Sequence, residues 1–139
     1  MVRKIKKFEY CSGKFIKLIV KEPFVSMANG LSIKVDEYFD RFSLDEQRAI
    51  IWHELYHHKY NGRRLPILWL KTLFKKEGYN VSQLLEFEAD EYSVRNNGKE
   101  ASLRALNKIR KLMNKKIIPQ SYKDHPKIDE RIRRIQELK

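Results

Sequence analysis

The feature that most constrains this chain is a helix start followed, ten residues on, by a pair of histidines. Ser43-Leu44-Asp45-Glu46 is a capping box: Ser43 at the N-cap can accept from the Glu46 amide, and the Glu46 side chain can accept from the Ser43 amide. A helix opened there is predicted to run to about Tyr60 and to stop at Asn61-Gly62. Inside it lies His53-Glu54-Leu55-Tyr56-His57, an H-E-x-x-H pattern. On a helix, residues four apart share a face, so His53 and His57 can offer ring nitrogens to one ion while Glu54 stands beside them to hold a water. His58 lies roughly 140° round from His53 and is expected to face solvent or a neighbouring helix. Shuffling this composition would produce the pattern by coincidence in about 1% of chains.

Composition bounds what such a helix can belong to. At 139 residues the chain is read as one domain over 1–139, with room for a core but not for a second full domain. Its only cysteine, Cys11, cannot close an internal disulfide, and charges run all through Met1–Val20 where a secretory leader would be apolar, so the cytoplasm is the expected location. The longest apolar run, Leu65 to Leu70, is far short of the roughly 20 residues that cross a bilayer. A net charge of +12 would attract phosphates, anionic lipid heads and acidic polypeptides alike, and selects none of them.

Ahead of the capping box, Phe15-Ile16-Lys17-Leu18-Ile19-Val20 and Leu31-Ser32-Ile33-Lys34-Val35 are rich in β-branched residues and are set off by Ser12-Gly13 and Asn29-Gly30 turns. Three short strands are expected over Lys4–Val35, then a short helix from Asp36 to Phe42. Beyond Gly62, helices are expected from Pro66 to Lys76, from Ser82 to Asn96, from Lys99 to about Lys115, and from His125-Pro126 through Glu137, with Pro126 at the first helical position. The class is therefore α+β: a small antiparallel or mixed N-terminal sheet followed by a helical body.

A catalytic zinc takes three protein ligands and keeps a fourth position open. The metzincin continuation would need Gly at Tyr60 and His at Arg63, and has neither. Downstream, Glu86 and Asp90 are again four apart, so Glu86 can reach the ion while Asp90 takes a hydrogen bond from a ligand imidazole. Glu88 and Glu91 read as a solvated face pairing with lysines. Small Ala89 suits close approach of two helices. His125 at a helix entrance is more often a cap or surface residue, and Arg131 can be an ion-pair partner.

Taken in order, His53-Glu54-x-x-His57, then Glu86-Phe87-x-Ala89-Asp90, then His125-Pro126 and Arg131-Ile132 resemble the gluzincin metallopeptidases related to HtpX and the CAAX prenyl endopeptidases, from about Pro23 onward. The resemblance implies a zincin-like fold, one Zn2+ held by His53, His57 and Glu86, Glu54 as general base and acid, Asp90 behind the ligands, and His125 and Arg131 assisting near substrate or ion. It implies a peptide or protein substrate. The stretch between His57 and Glu86 is short and holds nothing that can span lipid, so the chain is most similar to the soluble archaeal minigluzincins. Those are latent zymogens, and the charged ends, Met1–Lys7 and the tail after Ile132, are the candidates for a plug. The oxyanion donor is expected from His125, Arg131 or Tyr92, in that order, and the substrate strand on an edge formed by Leu31–Val35.

Two rivals come from the charge. One is a nucleic-acid-associated protein with the zinc centre in support, against which the lysines are spread along the chain rather than gathered in one stripe with aromatics. The other is peripheral attachment to a membrane through Arg63–Lys76, where Leu68, Trp69, Leu73 and Phe74 are flanked by bases; packing of those side chains into the core is the simpler expectation. Cys11 as a zinc ligand is a remote option, a buried or semi-buried strand thiol being expected instead.

Overall fold

Gly13, at φ +72°, lets the chain reverse after β1 (Lys4–Cys11) and return as β2 (Lys14–Val20), because a glycine has no Cβ to clash in that left-handed conformation. The computed structural model describes residues 4–20, 27–29, 32–35, 37–73, 78–118 and 126–139. The two long strands pair antiparallel, Phe8 opposite Ile16 and Lys6 opposite Leu18. Two shorter ones follow, β3 (Met27–Asn29) and β4 (Ser32–Val35), giving a mixed four-stranded sheet in the order β1-β2-β4-β3. The sheet thus has one strand more than the sequence predicts, since so short a strand as β3 leaves almost no alternation to read. β4 lies parallel to β2, Leu18 beside Ile33 and Val20 beside Val35, and antiparallel to β3. β4, the described part of the Leu31–Val35 run, is therefore an interior strand and not the expected edge; among the described residues β3 holds the edge on that side.

Side chains on alternate positions build the first core. Phe8, Leu18, Ile33 and Val35 of the sheet close on Phe39, from a 3-10 turn at Glu37–Arg41, and on Ile51 of the helix that follows. Leu18, Ile33 and Ile51 are fully buried, each worth about 1.5–3 kcal/mol of burial.

That helix, α1 (Leu44–Leu73), opens as the capping box requires. The Ser43 amide donates to Glu46 Oε1 at 3.1 Å and the Glu46 amide to Ser43 Oγ at 3.3 Å. It does not stop at Asn61-Gly62. It continues through both to Leu73, absorbing the separate helix expected from Pro66. A glycine inside a helix costs only about 1 kcal/mol relative to alanine, and strong helix formers surround it, so Asn-Gly is outvoted. Pro66, well inside the helix, forgoes one backbone bond.

Three helices complete the fold: α2 (Val81–Asn97), α3 (Lys99–Asn114) and α4 (Ile128–Glu137). α2 is opened by Asn80 rather than Ser82, through a second capping box in which Asn80 Oδ1 accepts from the Gln83 amide at 2.8 Å and Gln83 Oε1 from the Asn80 amide at 3.0 Å. Gly98, at φ +90°, separates α2 from α3 as expected. α4 has Lys127 at its N-cap, which puts the fully buried Pro126 outside the helix rather than at its first position. Ile128, Ile132 and Ile135 seat α4 on Leu106 of α3, with Val94 of α2 packed alongside. The fold is α+β, and no described helix is long and apolar enough to cross a membrane.

Candidate metal centre

α1 carries three stripes. Ile51 and Leu55 face the sheet, Trp52, Tyr56 and Tyr60 pack toward the rings and core of α2, and His53 and His57 lie beyond that aromatic stripe, where they meet the α2 acids. The α1–α2 contact is close because the facing residues are small: Ala89 is completely buried, and Ser93 Oγ donates to the Ala49 carbonyl at 2.7 Å while sharing a 3.2 Å hydrogen bond with Ser102 of α3. Aromatic rings flank it, Tyr10 and Tyr92 edge-on to Trp52 and Tyr56 tilted against Tyr92.

This approach brings Glu86 to the two imidazoles. Its Oε1 lies 2.8 Å from His57 Nε2 and its Oε2 lies 3.2 Å from His53 Nε2, with 3.2 Å between the two ring nitrogens. His53, His57 and Glu86 form a cluster able to hold a metal ion. Bonds of about 2.05 Å in a tetrahedral site place neighbouring ligand atoms ~3.3 Å apart, close to the spacing found.

Behind this set stands a chain of supports. His53 Nδ1 donates to Asp90 Oδ1 at 2.8 Å, which leaves its Nε2 lone pair turned toward His57 and Glu86. Asp90 in turn receives Arg131 of α4 twice, Nε to Oδ2 at 2.8 Å and Nη2 to Oδ1 at 2.7 Å, while Arg131 Nη1 lies 3.9 Å from Glu86 Oε2. Arg131 is thus engaged with Asp90 through two of its nitrogens. Its guanidinium is stabilised in the charged form by Asp90 and Glu86, against burial.

The electrostatics follow from these contacts. Burial would lower His53, but the Glu86 and Asp90 carboxylates outweigh it and push the ring up to about 10 when only protons compete for the site. Burial would raise Asp90, yet Arg131 and His53 hold its carboxyl below the usual range. Glu54 moves the other way: burial raises it, and the neighbouring His53 and His57 only partly offset that. Once an ion displaces the His53 proton, Glu86 and Asp90 against Arg131 leave a net charge of −1, to which Glu54 adds when ionised, so the site as a whole favours a cation.

Other expected residues fall elsewhere. His125 lies outside the described residues, as do the side chains of Leu68, Trp69, Leu73 and Phe74. His58 is exposed. Glu91 pairs with Arg95 one turn on at 3.5 Å, in the solvated manner expected, and Glu88 accepts from the buried Tyr56 hydroxyl. Tyr92 is held among the rings of Trp52, Tyr56 and Tyr60. Cys11 is half-buried at the end of β1 and is not part of the metal-capable cluster. The Tyr56–Glu88 pair and the grip of Arg131 on Asp90 were missed: the first hides in an ordinary helical spacing, the second joins residues 41 apart. On the far side of Asp90 and Arg131, α2 and α4 leave a cleft of about 550 Å³ that includes Tyr79, Phe87 and Arg134. No family model, curated protein or solved structure matches the chain.

Proposed function

We propose that the chain is a zinc-dependent endopeptidase of zincin-like fold, akin to the gluzincins that its motifs resemble. The observation that carries this reading is the convergence of two imidazole nitrogens and one carboxylate, in contact with one another at 2.8–3.2 Å, in a cluster able to hold a metal ion. Nitrogen and oxygen donors in this number suit zinc, and a three-ligand set leaves a coordination position open, as hydrolytic centres require.

His53, His57 and Glu86 would hold the ion, with Asp90 fixing the tautomer of His53. Zinc bound there would supply a water acidified toward neutrality and a positive charge against a peptide carbonyl. Glu54, its carboxyl raised by burial, is suited to take the proton of that water and return it to the departing amine. An extended substrate would pair with β3, the edge strand that packs beside α1.

The test joins two measurements on purified protein. Metal analysis is expected to give one zinc per chain. Glu54→Gln is expected to keep that zinc while losing at least about 100-fold in cleavage of an unstructured protein substrate. A variant that cleaves like the parent, or a parent chain that retains no metal, would refute the reading.

A second reading rests on the β1–β2 pair, where exposed Lys7 and Lys17 stand directly opposite each other with exposed Phe15 nearby. Like charges across strands are destabilising, so a polyanion such as single-stranded nucleic acid would relieve them. Binding in a gel-shift assay that falls steeply with salt, and weakens in Lys7→Ala/Lys17→Ala, would favour it.

A further inference from the structure

Arg131 is the one α4 side chain that reaches the carboxylates of the centre among the described residues, and its geometry is specific. Two of its nitrogens meet the two oxygens of Asp90 at 2.8 and 2.7 Å, a fork-to-fork arrangement that fixes the plane of the carboxylate as well as its position. Asp90 Oδ1 then fixes the His53 ring through Nδ1. Arg131 itself is placed by the apolar stripe beside it, Ile128, Ile132 and Ile135, which seats α4 on Leu106 and Val94. A continuous line of contacts therefore runs from the packing of α4 to the orientation of His53 Nε2.

We propose that Arg131 is a positioning residue for the metal centre and that, through it, docking of α4 and occupancy of the centre are energetically coupled. The inference rests on the metal reading above and adds to it a direction of control. By linkage, if seated α4 favours the ion-ready ring, then a bound ion must favour seated α4 by the same factor. The sign is diagnostic. A guanidinium near a bound cation would by charge alone repel it, so removing Arg131 should tighten the ion if charge were its whole effect. Positioning predicts the opposite.

The experiment titrates zinc into the full chain against a competing chelator, and follows backbone hydrogen exchange across α4 with and without zinc. In the parent chain zinc should slow exchange over Ile128–Glu137. Arg131→Ala should bind zinc about 10-fold or more weakly, within the range typical for loss of a group that supports a ligand. It should also lose the zinc-dependent protection of α4. Arg131→Lys keeps the charge and drops the fork; it should remain folded with intermediate affinity, and it supplies the answer if the alanine variant unfolds. In an Asp90→Asn background the arginine substitution should have little further effect, because its route to His53 is already cut. Equal or tighter zinc binding by Arg131→Lys or Arg131→Ala, or α4 protection that ignores zinc, would overturn the proposal. A parent chain that binds no zinc would instead bring down the metal reading, and the coupling with it.

Discussion

Replacing Glu46 should loosen the start of the helix that carries the centre, by an amount that can be worked from its contacts. Glu46 is buried and serves two purposes: it accepts from the Ser43 amide at 3.1 Å in the capping box, and it pairs with Lys108 of α3, with Arg104 close by. Loss of the Glu46 acceptor for the Ser43 amide, with Ser43 Oγ still capping the position-46 amide, costs about 1 kcal/mol. Lys108 is 38% exposed, so its pair is screened and adds only about 0.5–1 kcal/mol. Glu46→Ala should therefore destabilise by roughly 2 kcal/mol, which in a chain of 139 residues lowers the melting temperature by about 7 °C. Glu46→Gln, which keeps an acceptor for Ser43, should lose about half of that. Acid supplies an internal control. Burial alone would raise the Glu46 carboxyl, but Lys108 and Ser43 outweigh it and hold it below its ordinary 4.5. With the folded value the lower one, the charge-dependent stability is present above pH 4.5 and is lost as pH falls through the folded value. The gap between the parent and Glu46→Gln should thus narrow as urea titrations are carried progressively below pH 4.5. A Glu46→Ala stability within about 0.5 kcal/mol of the parent at pH 7, at unchanged m-value, would refute this account of the cap.

Zinc should stabilise the chain more at pH 9 than at pH 6, because the ion must displace a proton that His53 holds up to about 10; melting curves with zinc and with chelator at the two pH values measure the difference. In the metal-free chain the same raised value means that the contribution of His53 to stability is complete below pH 6.5 and is lost as pH rises toward about 10, which chelator-only melts would follow. Ala89→Leu should cost about 1–3 kcal/mol and abolish zinc retention together, since α2 must back away from α1; a destabilised variant that still binds zinc normally would show that helix spacing does not set the site. Tyr56→Phe removes the hydroxyl that donates to Glu88 and should cost about 1 kcal/mol in urea unfolding with zinc affinity unchanged. Latency of the kind that the gluzincin resemblance implies would appear as faster peptide cleavage by a trimmed chain than by the full one; because Lys4–Lys7 of the expected N-terminal plug pair with β2 as part of β1, the cut belongs before Lys4.

Most of the centre could be read from short-range spacing, because helical periodicity is a local property. His53 with His57, and Glu86 with Asp90, are each one turn apart, and the Ser43–Glu46 box sets the phase of the first helix within its opening turn. Where local signals compete, the stronger one decides: Asn61-Gly62 is a mild stop within good helix formers, and α1 passes straight through it. Asn80 takes the cap from Ser82 because Gln83 completes a reciprocal box with Asn80. The interior placement of β4 depends on parallel pairing with β2, a long-range choice that no alternation within Leu31–Val35 encodes. The bond from Arg131 to Asp90 is of the same kind: sequence marks the arginine, and only the folded chain supplies its partner.

The small side chains between α1 and α2 give the two acids different lengths to cover. With Ala89 sealed and Ser93 in hydrogen-bonding reach of the Ala49 carbonyl, the gap is fixed by groups that cannot shrink further. Glutamate at 86 has the extra methylene to arrive between the rings, and aspartate at 90 stops at the back of one of them. The helix pair works as a molecular ruler, on which exchanging the two acids would leave one too short to arrive and the other too long to fit.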